Sequence, residues 1–325
     1  LSYEDLPEEA VRIAKRCVLD GIGLMVAGSY EKCTQVITSF SSRISQPQGS
    51  TVLGVNPVRV TAPFAALANG TAGHAMDWDD SQLSVAPGRQ YGLLTHPTIP
   101  PLAASLAVAE ELGSVDGKTF LTAFLAGFEI ECKIAEAINP DHYKKGFHTS
   151  GTVGTFGAAM AAAKLLDLSS AEILHTLGIA SSMTSGIRTN FGTMTKPLHV
   201  GRAASNGVTA AMLAQSGYEA NMEALDGPWG FFSVFGRGFD IDSIAGCIGN
   251  PHTIVDPGVS IKPYPCGVLT HPSMDAMLSI VTEHDVKPED IQEVTLFAGS
   301  NILKPIRYKI AHDELEAKFC MSFLL

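Results

Sequence analysis

Apolar residues recur at helical spacing through most of this chain. After Leu6-Pro7-Glu8-Glu9, a proline and two acids that suit a first helical turn, Val11, Ala14, Cys17, Val18, Ile22 and Met25 fall on one stripe. A second helix is predicted over 31–44. Residues 48–60, with Thr51-Val52-Leu53-Gly54 and Pro57-Val58-Arg59-Val60, read as a loop or a short hairpin. The apolar segment Phe64–Ala68 suits a buried helix, and 81–95, rich in Gly and Pro, predicts a loop long enough to be functional. Four more helices follow, from Pro97 to about Leu112, Gly151 to Leu166, Gly201 to Ser216 and Pro272 to about Glu283. The run Ala158-Ala159-Met160-Ala161-Ala162-Ala163 predicts helices that approach closely. Over Ile291–Ala298 the period changes to two, as in a strand. The pattern therefore predicts a mainly α protein, with a large all-helical domain over 1–260 and the start of a smaller α+β domain over 261–325. The sequence ends within the apolar run Phe319–Leu325, where a domain does not normally stop, so the expectation is that the second domain is incomplete here.

Composition narrows the class. An apolar content of 46% against 17% charged residues describes a packed globular chain, not a disordered one. No uninterrupted run of 18 apolar residues occurs, so no membrane span is predicted. A net charge of −11 argues against nonspecific nucleic-acid binding. The six cysteines are scattered without a CxxC pair or a Cys/His clip, which predicts reduced cysteines, no zinc site and a cytoplasmic setting. The polar, acidic first residues do not make a signal peptide.

Candidate chemistry begins at Asn69–Asp80. Asp77, Asp79 and Asp80, with His74, stand where the preceding helix should end, and acids at that pole repel both the helix dipole and one another. A solvated acidic turn would explain them; Trp78 among the acids and the Ala and Gly before them favour a partly buried, functional cluster. Four of the predicted helix starts then share a feature. His96 precedes the first and His148 the second. Lys196 and His199 precede the third, which has Arg202 in its first turn, and Lys262 and His271 precede the fourth. Cations at the positive end of a helix are mildly unfavourable, so the repetition calls for an anion: a local cationic pocket for a small anionic substrate in an acidic protein. His74, His199 and His271 fit either a supporting role or ordinary packing.

These blocks, taken in order, resemble the MmgE/PrpD family, which includes 2-methylcitrate dehydratases, cis-aconitate decarboxylases and an iminodisuccinate epimerase. The resemblance runs through Asp20–Gly28, Asn69–Asp80, Thr95-His96-Pro97, Gly146-Phe147-His148-Thr149, Thr195–Ala204, Lys262-Pro263-Tyr264-Pro265-Cys266 and Glu316-Ala317-Lys318-Phe319. It implies a large helical domain joined to a smaller α+β domain, a homodimer, and no required metal or other cofactor. In the decarboxylase branch, active-site roles fall on the positions of Asp77, Ser81 (a threonine there), His96, His148, Lys196 and Lys262. A further histidine of that branch, five residues after the lysine of the Lys-x-Tyr/Phe-Pro block, corresponds to Gly267 here.

The resemblance implies a lyase acting on a small di- or tricarboxylate. Dehydrating a hydroxy acid needs a base for the α-proton, an acid for the leaving hydroxyl, and cations for the charge that builds on the neighbouring carboxylate. His96 and His148 suit the acid and base, Lys196, Lys262 and Arg202 suit carboxylate clamps, and Asp77 suits tuning one of them. Gly267 supplies no proton, which counts against decarboxylation, and the frequency of dehydratases in the family puts dehydration of a 2-methylcitrate-like substrate ahead of epimerisation. Two rivals are a terpene-cyclase-like use of Asp77-x-Asp79-Asp80, disfavoured by only 7% aromatic residues, and a binding protein without activity.

Overall fold

The computed structural model describes residues 1–47, 49–82 and 94–325. The loop expected over 81–95 falls largely in 83–93, outside the described residues.

Long helices α1 (Glu8–Gly28) and α2 (Lys32–Ile44) lead into a hairpin of β1 (Ser50–Val52) and β2 (Val58–Val60), paired antiparallel with Thr51 opposite Arg59. Then come α3 (Ala62–Ala75), α4 (Ile99–Leu112), α5 (Gly117–Ile138), the short α6 (Asp141–Lys144) and α7 (Thr149–Thr152), α8 (Gly154–Leu165) and α9 (Ser170–Met183). The long α10 (Thr195–Gln215) and α11 (His271–Glu283) follow, with single turns α12 (Ser300–Leu303), α13 (Glu314–Ala317) and α14 (Met321–Leu324). The fold is mainly α. No helix among the described residues is long and apolar enough to cross a membrane.

At the centre lies α3, whose residues are buried on nearly every side. An all-round apolar helix can be satisfied only by other helices, and glycine lets one of them come very close. A Cβ on Gly70 would sit 2.8 Å from the Cα of Gly201, so α3 and α10 touch backbone to backbone. That contact carries the first turns of α10 alongside the end of α3.

Three expectations change. Helices α5 and α9 arise where no element was predicted, and each has a strong start. Asp116 accepts hydrogen bonds from the Lys118 and Thr119 backbone N–H groups, and Ser169 with Glu172 forms a capping box. Helix α10 begins six residues before the expected Gly201, placing Lys196 and His199 inside the helix. The strand expected over 291–298 does not form. No described segment pairs with it, and Ile291, Val294 and Phe297 stay exposed; an alternating pattern gives a strand only where a partner supplies the hydrogen bonds.

Candidate active site

The acidic cluster ends α3. Asp77 takes a left-handed backbone (φ 54°), tolerable for aspartate, and turns the chain inward. All three carboxylates are buried, Asp77 at 4% exposure, Asp79 at 0% and Asp80 at 1%, which removes the solvated-turn reading; Trp78, half-exposed, donates its indole N–H to Lys262 O at 3.0 Å. Each acid then needs a partner. Asp77 Oδ1 accepts from Lys196 Nζ at 2.6 Å and lies 3.4 Å from Lys262 Nζ. Asp79 holds His74, both carboxylate oxygens 2.8 Å from Nδ1. Asp80 accepts from the Thr98 hydroxyl at 2.5 Å, and burial raises its carboxyl to about 7.

Ser81 and Ser260 exchange backbone hydrogen bonds at 2.9 Å, which brings Lys262, two residues on, against the acidic turn. There Lys262 Nζ donates to Asp77 O at 2.7 Å. His96 Nδ1 is 2.8 Å from Asp80 O, 3.3 Å from Ser81 Oγ and 3.6 Å from Asp79 Oδ2. A carbonyl can only accept, so Nδ1 carries the proton and Nε2 is left as the basic nitrogen. His148 Nδ1 lies 3.1 Å from His199 Nδ1. The rings of His74, His96 and His148 gather with centroids 4.7 to 6.3 Å apart.

Burial dominates the electrostatics. It drives His74 and His148 well below the ordinary imidazole range, with Lys196 adding to the effect, and takes His96 to about 3 against the opposing pull of Asp79. It lowers Lys196 as well, against Asp77. For Asp77 burial pushes upward, but Lys196 and Lys262 outweigh it and hold the carboxyl well below the usual carboxylate range. The site thus combines neutral imidazoles with a buried aspartate and lysines.

Asp77, Ser81, His96, His148, Lys196 and Lys262 line one cavity of about 540 Å³, mouth included. Two of their atoms, Asp77 Oδ2 and His148 Nε2, are buried without a hydrogen-bond partner among the described residues. Arg202 does not join them. It is exposed and absent from the wall: six residues beyond Lys196 on α10, at about 100° per residue, it faces away. The expected clamp role for Arg202 is therefore not supported by its placement. The rest of the wall, unread in the sequence, includes Tyr143, Phe191, Leu269, Ile306 and Phe319. Phe191, Ile306 and Phe319 form a small apolar cluster of their own, so residues beyond 260 close the cavity that the helices open. Phe319 belongs to the Glu-Ala-Lys-Phe block that carried the resemblance, the one signal that could have placed it.

Ring nitrogens of His74, His96 and His148, or His74 with Asp77 and Asp79, come close enough to share a cation. Lys196 Nζ stands 2.6 Å from both His74 Nε2 and Asp77 Oδ1 and so already holds the space between those two groups. The set as built fits an ammonium.

Residues 1–244 match the MmgE/PrpD N-terminal domain. The chain belongs to the MmgE/PrpD family. It is 31% identical to human cis-aconitate decarboxylase over 298 residues, covering 89% of this chain and 60% of the relative. It is 28% identical to cis-aconitate decarboxylase of Aspergillus terreus over 287 residues, 85% of this chain and 57% of that protein. The chain thus spans about three-fifths of the length of these relatives.

Proposed function

We propose that this site belongs to a lyase that moves a proton at a carbon beside a carboxylate of a small di- or tricarboxylate. The observation that carries the reading is the shared cavity: two lysines and two neutral histidines meet there around an aspartate with an unpartnered oxygen. Lys196 and Lys262 hold the carboxylate on which charge develops. His96 and His148 are neutral and therefore basic, and a bound polyanion favours their protonated forms, so the proton donor charges as substrate arrives.

Within that class, decarboxylation of a cis-aconitate-like tricarboxylate is the leading reading. It rests on the relatives' activity and on the apolar side chains Phe191, Leu269, Ile306 and Phe319 that line the same cavity, the rings of Phe191 and Phe319 lying 5.2 and 5.4 Å from Lys196 Nζ. A carboxylate turned to those side chains loses hydration that neutral CO₂ does not need. The C–C bond to it breaks and its electron pair forms the new C=C. The old C=C pair moves to the carbon beside another carboxylate, which takes one proton. Dehydration of a 2-methylcitrate-like hydroxy acid is the second reading, favoured by Gly267, which places no proton donor in the wall. A homodimer is part of the proposal on family grounds.

The test uses the protein from its complete reading frame, given cis-aconitate or 2-methylcitrate. Release of CO₂ from cis-aconitate supports the leading reading, and loss of water from 2-methylcitrate alone supports the second. Neither turnover nor stabilisation by either acid would overturn the polycarboxylate assignment.

A further inference from the structure

His74 does not line the cavity, and its side chain is fully shielded from solvent. A buried histidine is often just a satisfied core residue, but both ring nitrogens here are committed in a determinate way. Both oxygens of Asp79 lie 2.8 Å from Nδ1, so Nδ1 carries a proton and donates it. Burial and Lys196 keep the imidazole neutral, so Nε2 is bare. Lys196 Nζ stands 2.6 Å from that nitrogen and must be the donor. A second ammonium proton goes to Asp77 Oδ1, also at 2.6 Å. An ammonium has three N–H groups and no acceptor. One remains, on a residue that lines the cavity.

We propose that His74, held by Asp79, is a positioning residue: with Asp77 it fixes two of the three N–H groups of Lys196 and presents the third to the substrate carboxylate. The proposal rests on the reading that Lys196 meets such a carboxylate. The other charged or titratable groups around His74 are Asp77, Lys262, His96, His148 and His199. Among the described residues only Asp79 and Lys196 hydrogen-bond to the ring nitrogens, so the tautomer is set by Asp79 at Nδ1 and by the ammonium at Nε2.

Three variants, assayed with cis-aconitate across pH, separate positioning from packing. In His74→Leu the ammonium loses a neutral acceptor that stabilises its charge, so kcat/KM should fall about 10²-fold and the alkaline limb should move to lower pH. In Asp79→Asn the amide can donate to Nδ1, which moves the ring proton to Nε2 and turns it against the ammonium; a loss in the same direction is expected at unchanged volume. His74→Gln keeps a carbonyl that can accept from Lys196 and should recover part of the activity. An alkaline limb unmoved in all three, with losses that follow only the fall in Tm, would overturn the proposal. If the variants do not fold or cis-aconitate is not turned over, ¹⁵N-imidazole spectra of the unaltered protein decide: His74 must be the neutral Nδ1–H tautomer at neutral pH. An imidazolium, or the Nε2–H tautomer, sinks the idea whatever the substrate is.

Discussion

Replacing Asp77 with Asn tests the charge at the centre of the site without disturbing its shape. Asparagine tolerates the left-handed backbone that Asp77 adopts, so the turn should survive. What changes is compensation. The Asp77 carboxylate lies 2.6 Å from Lys196 Nζ and 3.4 Å from Lys262 Nζ, and all three residues are 4% exposed. Removing one member of a buried ion pair typically costs about 3–5 kcal/mol, because the partner charge stays buried. The Asn carbonyl can still accept from Lys196, and the bond from Lys262 to the backbone oxygen of residue 77 is untouched. The expected loss is therefore about 3 kcal/mol, out of a total that is about 5–15 kcal/mol for most domains. The sign with pH follows from the depressed carboxyl. Its stabilisation is fully present above the unfolded value of 3.8 and is lost as pH falls through the lower folded value. Urea unfolding followed by circular dichroism should show a gap between native and variant that is constant from about pH 5 to about pH 8 and narrows only in stronger acid. Citrate, supplying the missing negative charge, should raise the Tm of the variant more than that of the native protein. A gap under about 1 kcal/mol, or one that widens toward acid, would refute the buried charge network.

In deuterated buffer, His96→Ala and His148→Ala should each slow exchange of the substrate's α-proton by about 10²-fold or more, read by mass spectrometry; full-rate exchange in either variant removes that histidine from the chemistry. Activity should survive EDTA, because Lys196 fills the space between His74 and Asp77; a loss reversed by Mg²⁺ or Mn²⁺ would favour the acidic-motif rival. Glu131→Gln should stabilise the fold increasingly as pH rises above 4.5. Burial raises that carboxyl well above its ordinary value despite the Thr95 hydroxyl at 2.5 Å, so stability present below 4.5 is lost toward its folded pKa. Urea midpoints of the two proteins that stay parallel from about pH 5 to about pH 8 would contradict this.

The helical class was legible because apolar spacing alone reports it: α1, α2, the hairpin, α3, α4, α8 and α11 stand close to where the pattern put them. His96, His148, Lys196 and Lys262 could be singled out because cations at helix starts and an acidic cluster after a helix conflict with local helix electrostatics, a conflict visible residue by residue. The four do share one cavity, although Lys196 lies in the first turn of α10 and not ahead of it. Other features were not legible. Arg202 looks like Lys196 in a linear reading, and only the start of α10 at Thr195 decides that one faces the cavity and the other solvent. His74 and His148 are both histidines with no charged neighbour in the chain; their difference lies in Asp79 reaching one ring and His199 the other. The strand pattern at 291–298 was real as a pattern, but a strand is completed by a partner and not by its own alternation. The apolar wall of Phe191, Ile306 and Phe319 brings together residues up to 128 positions apart (319−191=128), a juxtaposition that carries no local signature. Periodicity and charge are properties of neighbours along the chain and could be read from it. Which side chains share a water-excluded cavity, and hence which protons are held where, depends on helix packing such as the Gly70–Gly201 contact, and that was decided only by the tertiary structure.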